Sequence, residues 1–171
     1  MTAPGTAAEK EERARDIFRR LFDERDLTDP GWYWADGITA HFYALDLTVH
    51  GPDGMADFFT GVFAAVPDWS MEVEDVRAHE DGATIRWRGR GTFTGAPWMG
   101  IDPTGTAIDL PGCDVMRFDA EGRVTENRVY YDGATFARAV GMLPRRDSAA
   151  DRAMLAAFNA VTKAKRRIRR A

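Results

Sequence analysis

The chain has 171 residues and a net charge of −4, with 44 % hydrophobic and 29 % charged residues, five Trp and ten Phe. That size suits one domain with a sizeable core, and that composition excludes a disordered or low-complexity chain. No apolar run approaches the roughly 20 residues of a membrane helix, and a lone Cys113 removes disulfides, zinc clusters and iron–sulfur sites together.

The N-terminus, MTAPGTAAEKEERARD, lacks the apolar segment of a secretory signal, so a cytoplasmic location is expected. Charge is uneven along the chain. Residues 144–171 carry nine Lys or Arg against two Asp (+7), leaving 14 basic and 25 acidic side chains in the rest (−11). An acidic body is a poor nucleic-acid binder, because such affinity comes mainly from neutralising phosphates. The sequence therefore divides into a flexible arm over 1–9, a main domain over 10–143 and a basic helical extension over 144–171.

In chain order, a helix is expected from about Lys10 to Arg25, with Ile17, Phe18, Leu21 and Phe22 on one stripe. Asp29-Pro30-Gly31 reads as a turn or a short second helix. Ile38 to Tyr43 forms a short strand. Gly51-Pro52-Asp53 then opens a helix whose Met55, Phe58, Phe59, Val62, Phe63 and Val66 make the cleanest helical stripe in the chain; Pro67-Asp68 ends it. From Trp69 the period changes to two. Met71 and Val73 differ in parity from Val76 and Ala78, which predicts a bulge near Asp75, and Glu80-Asp81-Gly82 turns the hairpin.

Ala83 to Thr94 alternates into a half-buried strand with Arg86, Arg88 and Arg90 on its outer face. A Gly/Pro-rich loop follows, then a strand over Ile108 to Phe118, a turn at Ala120-Glu121-Gly122 and a return strand over Val124 to Tyr131. Asp132 is placed to cap a further helix. The last helix starts at Ser148 with Asp151 three residues on, and packs by Met154, Leu155 and Phe158. Helices first and strands after define an α+β domain. Helices against a strongly curved antiparallel sheet make a cone, and such a cone holds an apolar pocket for a hydrophobic small molecule.

Asp114 shares a strand face with Ile108, Leu110, Met116 and Phe118, so its carboxyl group points into apolar surroundings. Burial there raises its pKa and lets it act as an acid near neutral pH; the alternative is an Asp satisfied by backbone N–H groups beside Gly112. His41, on the strand face of Thr39 and Tyr43, has a pKa suited to a general base. Asn127, Val129 and Tyr131 share one parity on the last strand, and Ile85, Trp87 and Met116 supply apolar wall to the cone. Gly89, Gly91 and Gly95 lie in or beside a strand with no helix after them, so they permit sheet curvature or close approach of a ligand rather than bind a dinucleotide. Spacing argues for no metal site and no cofactor.

The segments MGIDPTGTAIDLPGCDVMRFDAEGRVTENRVYYD, FARAVGMLP, WADGITAHF and GPDGMADFF resemble the SnoaL-like polyketide cyclase branch of the nuclear transport factor 2-like superfamily, over about residues 10–143. The resemblance implies a cone-shaped, cystatin-like α+β barrel, commonly homodimeric, running cofactor-free acid–base chemistry. Asp114 falls where the related ketosteroid isomerases carry a carboxylic acid that donates to the substrate oxyanion. The cyclase acid–base Asp falls on Val129, which implies that Asn127 and Tyr131, of the same parity, also face the cone and orient the ligand; the isomerase Tyr falls on Phe18, and the isomerase base at or beside Phe42, next to His41. What this implies is a cyclase, isomerase or dehydratase acting on a polyketide- or steroid-like compound, with Asp114 and His41 catalytic. The other openings are a binding or dimerisation domain and an epoxide hydrolase or hydroxylase. A homodimer joined through the face of Arg86 and Arg88 is expected.

Overall fold

In the computed structural model, which describes residues 5–169, the first helix begins earlier than the stripe alone indicates. Helix α1 (Ala7–Phe18) is opened by a capping box: the Glu9 amide donates to Thr6 Oγ1 at 3.2 Å and the Thr6 amide donates back to Glu9 Oε2 at 2.9 Å. The boundary at residue 9 therefore falls inside a helix. A wider turn, Arg19–Asp23, continues α1 and keeps Leu21 and Phe22 buried. Arg13 is buried as well, donating to the carbonyls of Gly122 (2.7 Å) and Trp32 (2.6 Å) with its guanidinium over the Trp32 ring. Desolvation brings its pKa down to about 10, still far above neutral, so it stays charged and ties α1 to the turn before the last strand.

After the short α2 (Pro30–Tyr33) come strand β1 (Trp34–Phe42), a tight turn and strand β2 (Leu47–His50), which the sequence reading missed. Helix α3 (Gly51–Ala65) follows, then β3 (Ser70–His79), β4 (Gly82–Thr92), β5 (Ala107–Phe118) and β6 (Val124–Tyr131). The expected bulge is present as a register shift between Val73 and Asp75. Asp132 caps α4 (Gly133–Ala139) by accepting the Thr135 amide at 2.6 Å, and Ser148 caps α5 (Ala149–Ile168) by accepting the Asp151 amide at 3.1 Å.

The six strands form one curved, open sheet in the order β2-β1-β6-β5-β4-β3. It is not wholly antiparallel: β1 runs parallel to β6, pairing Ala40 with Asn127 and Phe42 with Val129. Alternation along a strand reads the same in either direction, which is why the sequence pattern carried no sign of it. Helix α1 lies against β3 and β4, and α3 against β1 and β2, so the concave face is walled by apolar helix stripes. None of the described helices is long and apolar enough to cross a membrane.

Two expectations about the periphery are corrected. The arginine stripe finds its acids within the same sheet: Arg86 pairs with Glu74 (3.1 Å), Arg88 with Asp109 (2.5 Å) and Arg90 with Glu72 (2.7 Å). It needs no acidic partner from outside. Helix α5 does not pack by Leu155 and Phe158, which are 51 % and 68 % exposed.

Candidate functional site

Strands β4, β5 and β6 put their inward side chains around one point. Register pairs Ile85 with Asp114 and Asp114 with Val129, with Trp87 and Tyr131 one inward step further on, both level with Gly112. Asp114 Oδ1 accepts from Trp87 Nε1 at 2.7 Å, and Oδ2 accepts from Asn127 Nδ2 at 2.8 Å. Each carboxylate oxygen is thus held by an N–H from a neighbouring strand, and no backbone amide is needed. Asp114 is 8 % exposed. Burial pushes its pKa up to about 6 from an ordinary 3.8, while the two hydrogen bonds pull the other way.

The surrounding cavity encloses about 790 Å³ of atom-free space, its open mouth included. Its lining is aromatic and aliphatic: Phe18, Phe22 and Phe42 from α1, its continuation and β1, Phe58, Phe59 and Val62 from α3, Trp69 and Met71 from β3 and its lead-in, Trp98 from the loop after β4, and Phe136 and Val140 from α4 and its end. Among the described residues, Asp114 and Tyr131 bring the only carboxyl and the only hydroxyl to it. Desolvation and the neighbouring Asp114 raise the Tyr131 pKa well beyond its usual range, so its hydroxyl remains a donor.

Two indole rings shape the wall by lying on glycines of the next strand. A Cβ on Gly112 would meet the Trp87 ring at 2.3 Å, and one on Gly89 would meet the Trp69 ring at 2.4 Å. What closely approaches Gly89 is therefore a side chain, Trp69, where a ligand was expected.

The sequence-predicted residues divide into four groups. Asp114, Trp87, Val129, Tyr131 and Phe18 line the cavity. Asn127 stands behind Asp114, fully inside, with its own Oδ1 buried and unpartnered. Ile85 and Met116 are buried at 0 % and 2 % exposure in the packed core and are not part of the cavity lining. His41 is outside altogether. Its parity with Thr39 and Tyr43 was read correctly, but Ala40 and Phe42 are the buried residues of β1, so that shared face is the outer one. There His41 Nδ1 lies 3.2 Å from Thr48 Oγ1 and the ring stacks on Tyr43. The wall contributed by α3 was missed as a site because its apolar stripe is indistinguishable in sequence from ordinary core. Among the described residues, no group of three or more His, Cys, Asp or Glu is placed to hold a metal ion.

A curved α+β domain closed around an apolar cavity with one buried, hydrogen-bonded carboxyl group is a small-molecule-binding design. The profile of the SnoaL-like polyketide cyclases matches residues 12–140, and the chain belongs to that family, within the nuclear transport factor 2-like fold. A search of curated proteins gives no significant match. Among solved structures, AclR from Streptomyces galilaeus, named as a candidate hydroxylase, is 23 % identical with a TM-score of 0.69, over 97 % of this chain and 99 % of that one. A candidate SnoaL-like polyketide cyclase from Jannaschia sp. CCS1 is 23 % identical with a TM-score of 0.66, over 79 % of this chain and 96 % of its own. A candidate polyketide cyclase from Acidithiobacillus ferrooxidans is 19 % identical with a TM-score of 0.65, over 82 % and 99 %.

Proposed function

We propose that the protein binds a rigid, multi-ring carbonyl compound of polyketide or steroid type and moves a proton on it, with Asp114 as the acid–base group. The observation that carries this reading is a single carboxyl group in an otherwise apolar cavity, each oxygen held by an N–H donor from a neighbouring strand. Held that way, the carboxyl group cannot turn from the ligand, and either protonation state is available near pH 6.

In the ionised state, Asp114 takes a proton from a carbon beside the ligand carbonyl. The C–H electron pair moves to the carbonyl oxygen as an enolate, which accepts a hydrogen bond from Tyr131. Where a C=C lies next to that carbon, the enolate extends over it as a dienolate, and Asp114 returns the proton to the far carbon of that system, giving an isomer with the C=C shifted. Alternatively, the nucleophilic carbon attacks a second carbonyl of the ligand, and Asp114 protonates the resulting alkoxide, closing a ring. His41, on the outer face, takes no part. The apolar lining excludes water and strengthens the electrostatic interactions on which both steps depend.

Deuterium incorporation from D2O into multi-ring ketones, followed by mass spectrometry, tests this. Asp114→Asn is expected to lower exchange at least 100-fold while ligand affinity stays within a few-fold. The competing reading, a binding protein without turnover, draws on the fact that both Asp114 oxygens are already satisfied. It prevails if wild type exchanges no faster than Asp114→Asn for every ligand that binds.

We also propose that the working form is a homodimer joined through the outer sheet face. Tyr43 and Tyr130 stack there while remaining 52 % and 44 % exposed, an apolar patch that a second copy would cover.

A further inference from the structure

Helix α5 is the largest feature that the cavity does not use. Its start is well anchored: Asp151 is buried, and its Oδ2 accepts the Asp147 amide at 3.0 Å. Beyond that turn, Leu155, Phe158, Val161 and Ile168 are 51 %, 68 %, 54 % and 76 % exposed, half of the eight exposed large hydrophobic side chains among the described residues. At about 100° per residue these four fall with Met154 on one side of the helix, a side that Lys165 and Arg169 share near its end, with Arg152, Lys163 and Arg167 opposite and Arg166 at the edge. In proteins most of a helix's stability comes from packing of its apolar face, so an amphipathic helix of 20 residues with its stripe uncovered calls for a partner surface.

We infer that α5 is an arm that packs on the body of a second copy of this chain, an inference that rests on the homodimer reading. Charge selects this occupant. From Arg152 to Arg169 the helix carries six cations and no acid, whereas residues 1–143 have a net charge of −11. Two α5 helices side by side would repel through their basic ends; α5 against the acidic body of a second copy is attracted. The layout along the axis argues for a protein surface over a lipid one. Met154, Leu155, Phe158 and Val161 come first and five of the six cations follow at 163–169, where Lys165 and Arg169 share the side of Ile168. A helix lying on an anionic bilayer instead carries its cations beside the apolar stripe along its whole length. Ala153, Ala156, Ala157 and Ala160 leave the first half of the arm slim enough for close approach.

Sedimentation velocity on the full-length chain tests the arm. Wild type is expected to be dimeric at micromolar concentration, and Leu155→Glu/Phe158→Glu is expected to raise the dimer dissociation constant at least tenfold with the melting temperature of the body kept. Should that pair fail to fold, Leu155→Ala/Phe158→Ala reads the same quantity with a smaller shift. Lys163→Glu/Arg166→Glu/Arg167→Glu is expected to weaken the dimer, and added salt to weaken the wild-type dimer but not the charge-reversed one. A wild-type dimer whose dissociation constant none of these variants moves overturns the arm and leaves a dimer through the sheet face standing. A wild-type chain that stays monomeric across all concentrations overturns both. Co-sedimentation of monomeric wild type with phosphatidylserine-containing vesicles, lost in the Glu pair, makes an anionic bilayer the partner and overturns the inference.

Discussion

Helices α3 and α5 carry apolar stripes of the same period, and the fold treats them oppositely. The stripe of α3 sends Phe58, Phe59 and Val62 into the cavity wall and Phe63 onto Phe22, beneath a network of aromatic contacts that includes Trp34 and Trp98. The stripe of α5 points Leu155, Phe158 and Val161 at solvent. Periodicity states which face of a helix is apolar; it does not state what covers that face. What distinguishes the two is position in the chain. Helix α3 sits between strands of one sheet, with Gly95 and Ala96 bonded to its last carbonyls, whereas α5 follows the final element of the domain.

Four measurements probe that contrast in decreasing order of effect. Phe59→Ala, in the middle of the aromatic wall, should cost about 3 kcal/mol of stability in chemical denaturation, at the low end for Phe→Ala changes because Phe59 is partly buried. The matching Phe158→Ala should leave the unfolding free energy of the monomer within about 0.5 kcal/mol of wild type. If the two losses were equal, α5 would be part of the core.

Next comes the pH dependence. Asp114 titrates near 6 when folded and near 3.8 when unfolded, so the unfolded chain ionises first as pH rises. Stability from this group is fully present below about pH 4 and is lost as pH climbs through 6, by at most about 3 kcal/mol. Asp114→Asn should flatten that slope in melts taken from pH 4 to 8, and removal of α5 should leave it unchanged. Asp114→Leu is a harsher change, because it also strands the N–H groups of Trp87 and Asn127 that now donate to the carboxylate.

Third, Gly112→Ala places a methyl group against the Trp87 ring and should cost about 1–3 kcal/mol, the range for overpacking, with altered indole fluorescence as its signature. The smallest effect belongs to truncation of residues 163–171, which should shift the melting temperature of the monomer by less than the scatter of the measurement.

Much of the frame was legible because β-strand parity and helical stripes are local properties. Alternation alone put Asp114 among apolar neighbours and gave Asn127, Val129 and Tyr131 one parity; that this parity faces inward came from the family resemblance at Val129. It could not reveal the parallel pairing of β1 with β6, since pleating has no direction. Nor could it say which face of β1 is buried, and that choice carried His41 out of the site and Phe42 into it. The donors to Asp114 lie 27 and 13 residues from it, so their meeting is a matter of register between strands and not of spacing along one. Ile85 and Met116 have the parity of cavity residues, yet close packing leaves no space beside them.

The two glycines beneath the indoles give the cavity a property that its lining residues do not reveal. Depth at those points is set by the absence of a methyl group, so one small substitution at Gly112 would lift Trp87 and detach a donor from Asp114 in the same movement. Room for the ligand and strength of the acid are therefore inherited together. A lineage that exchanged one ligand for another by reshaping this wall would change its proton chemistry in the same step, while Gly89, under Trp69, offers a place to alter shape with the carboxyl group left alone.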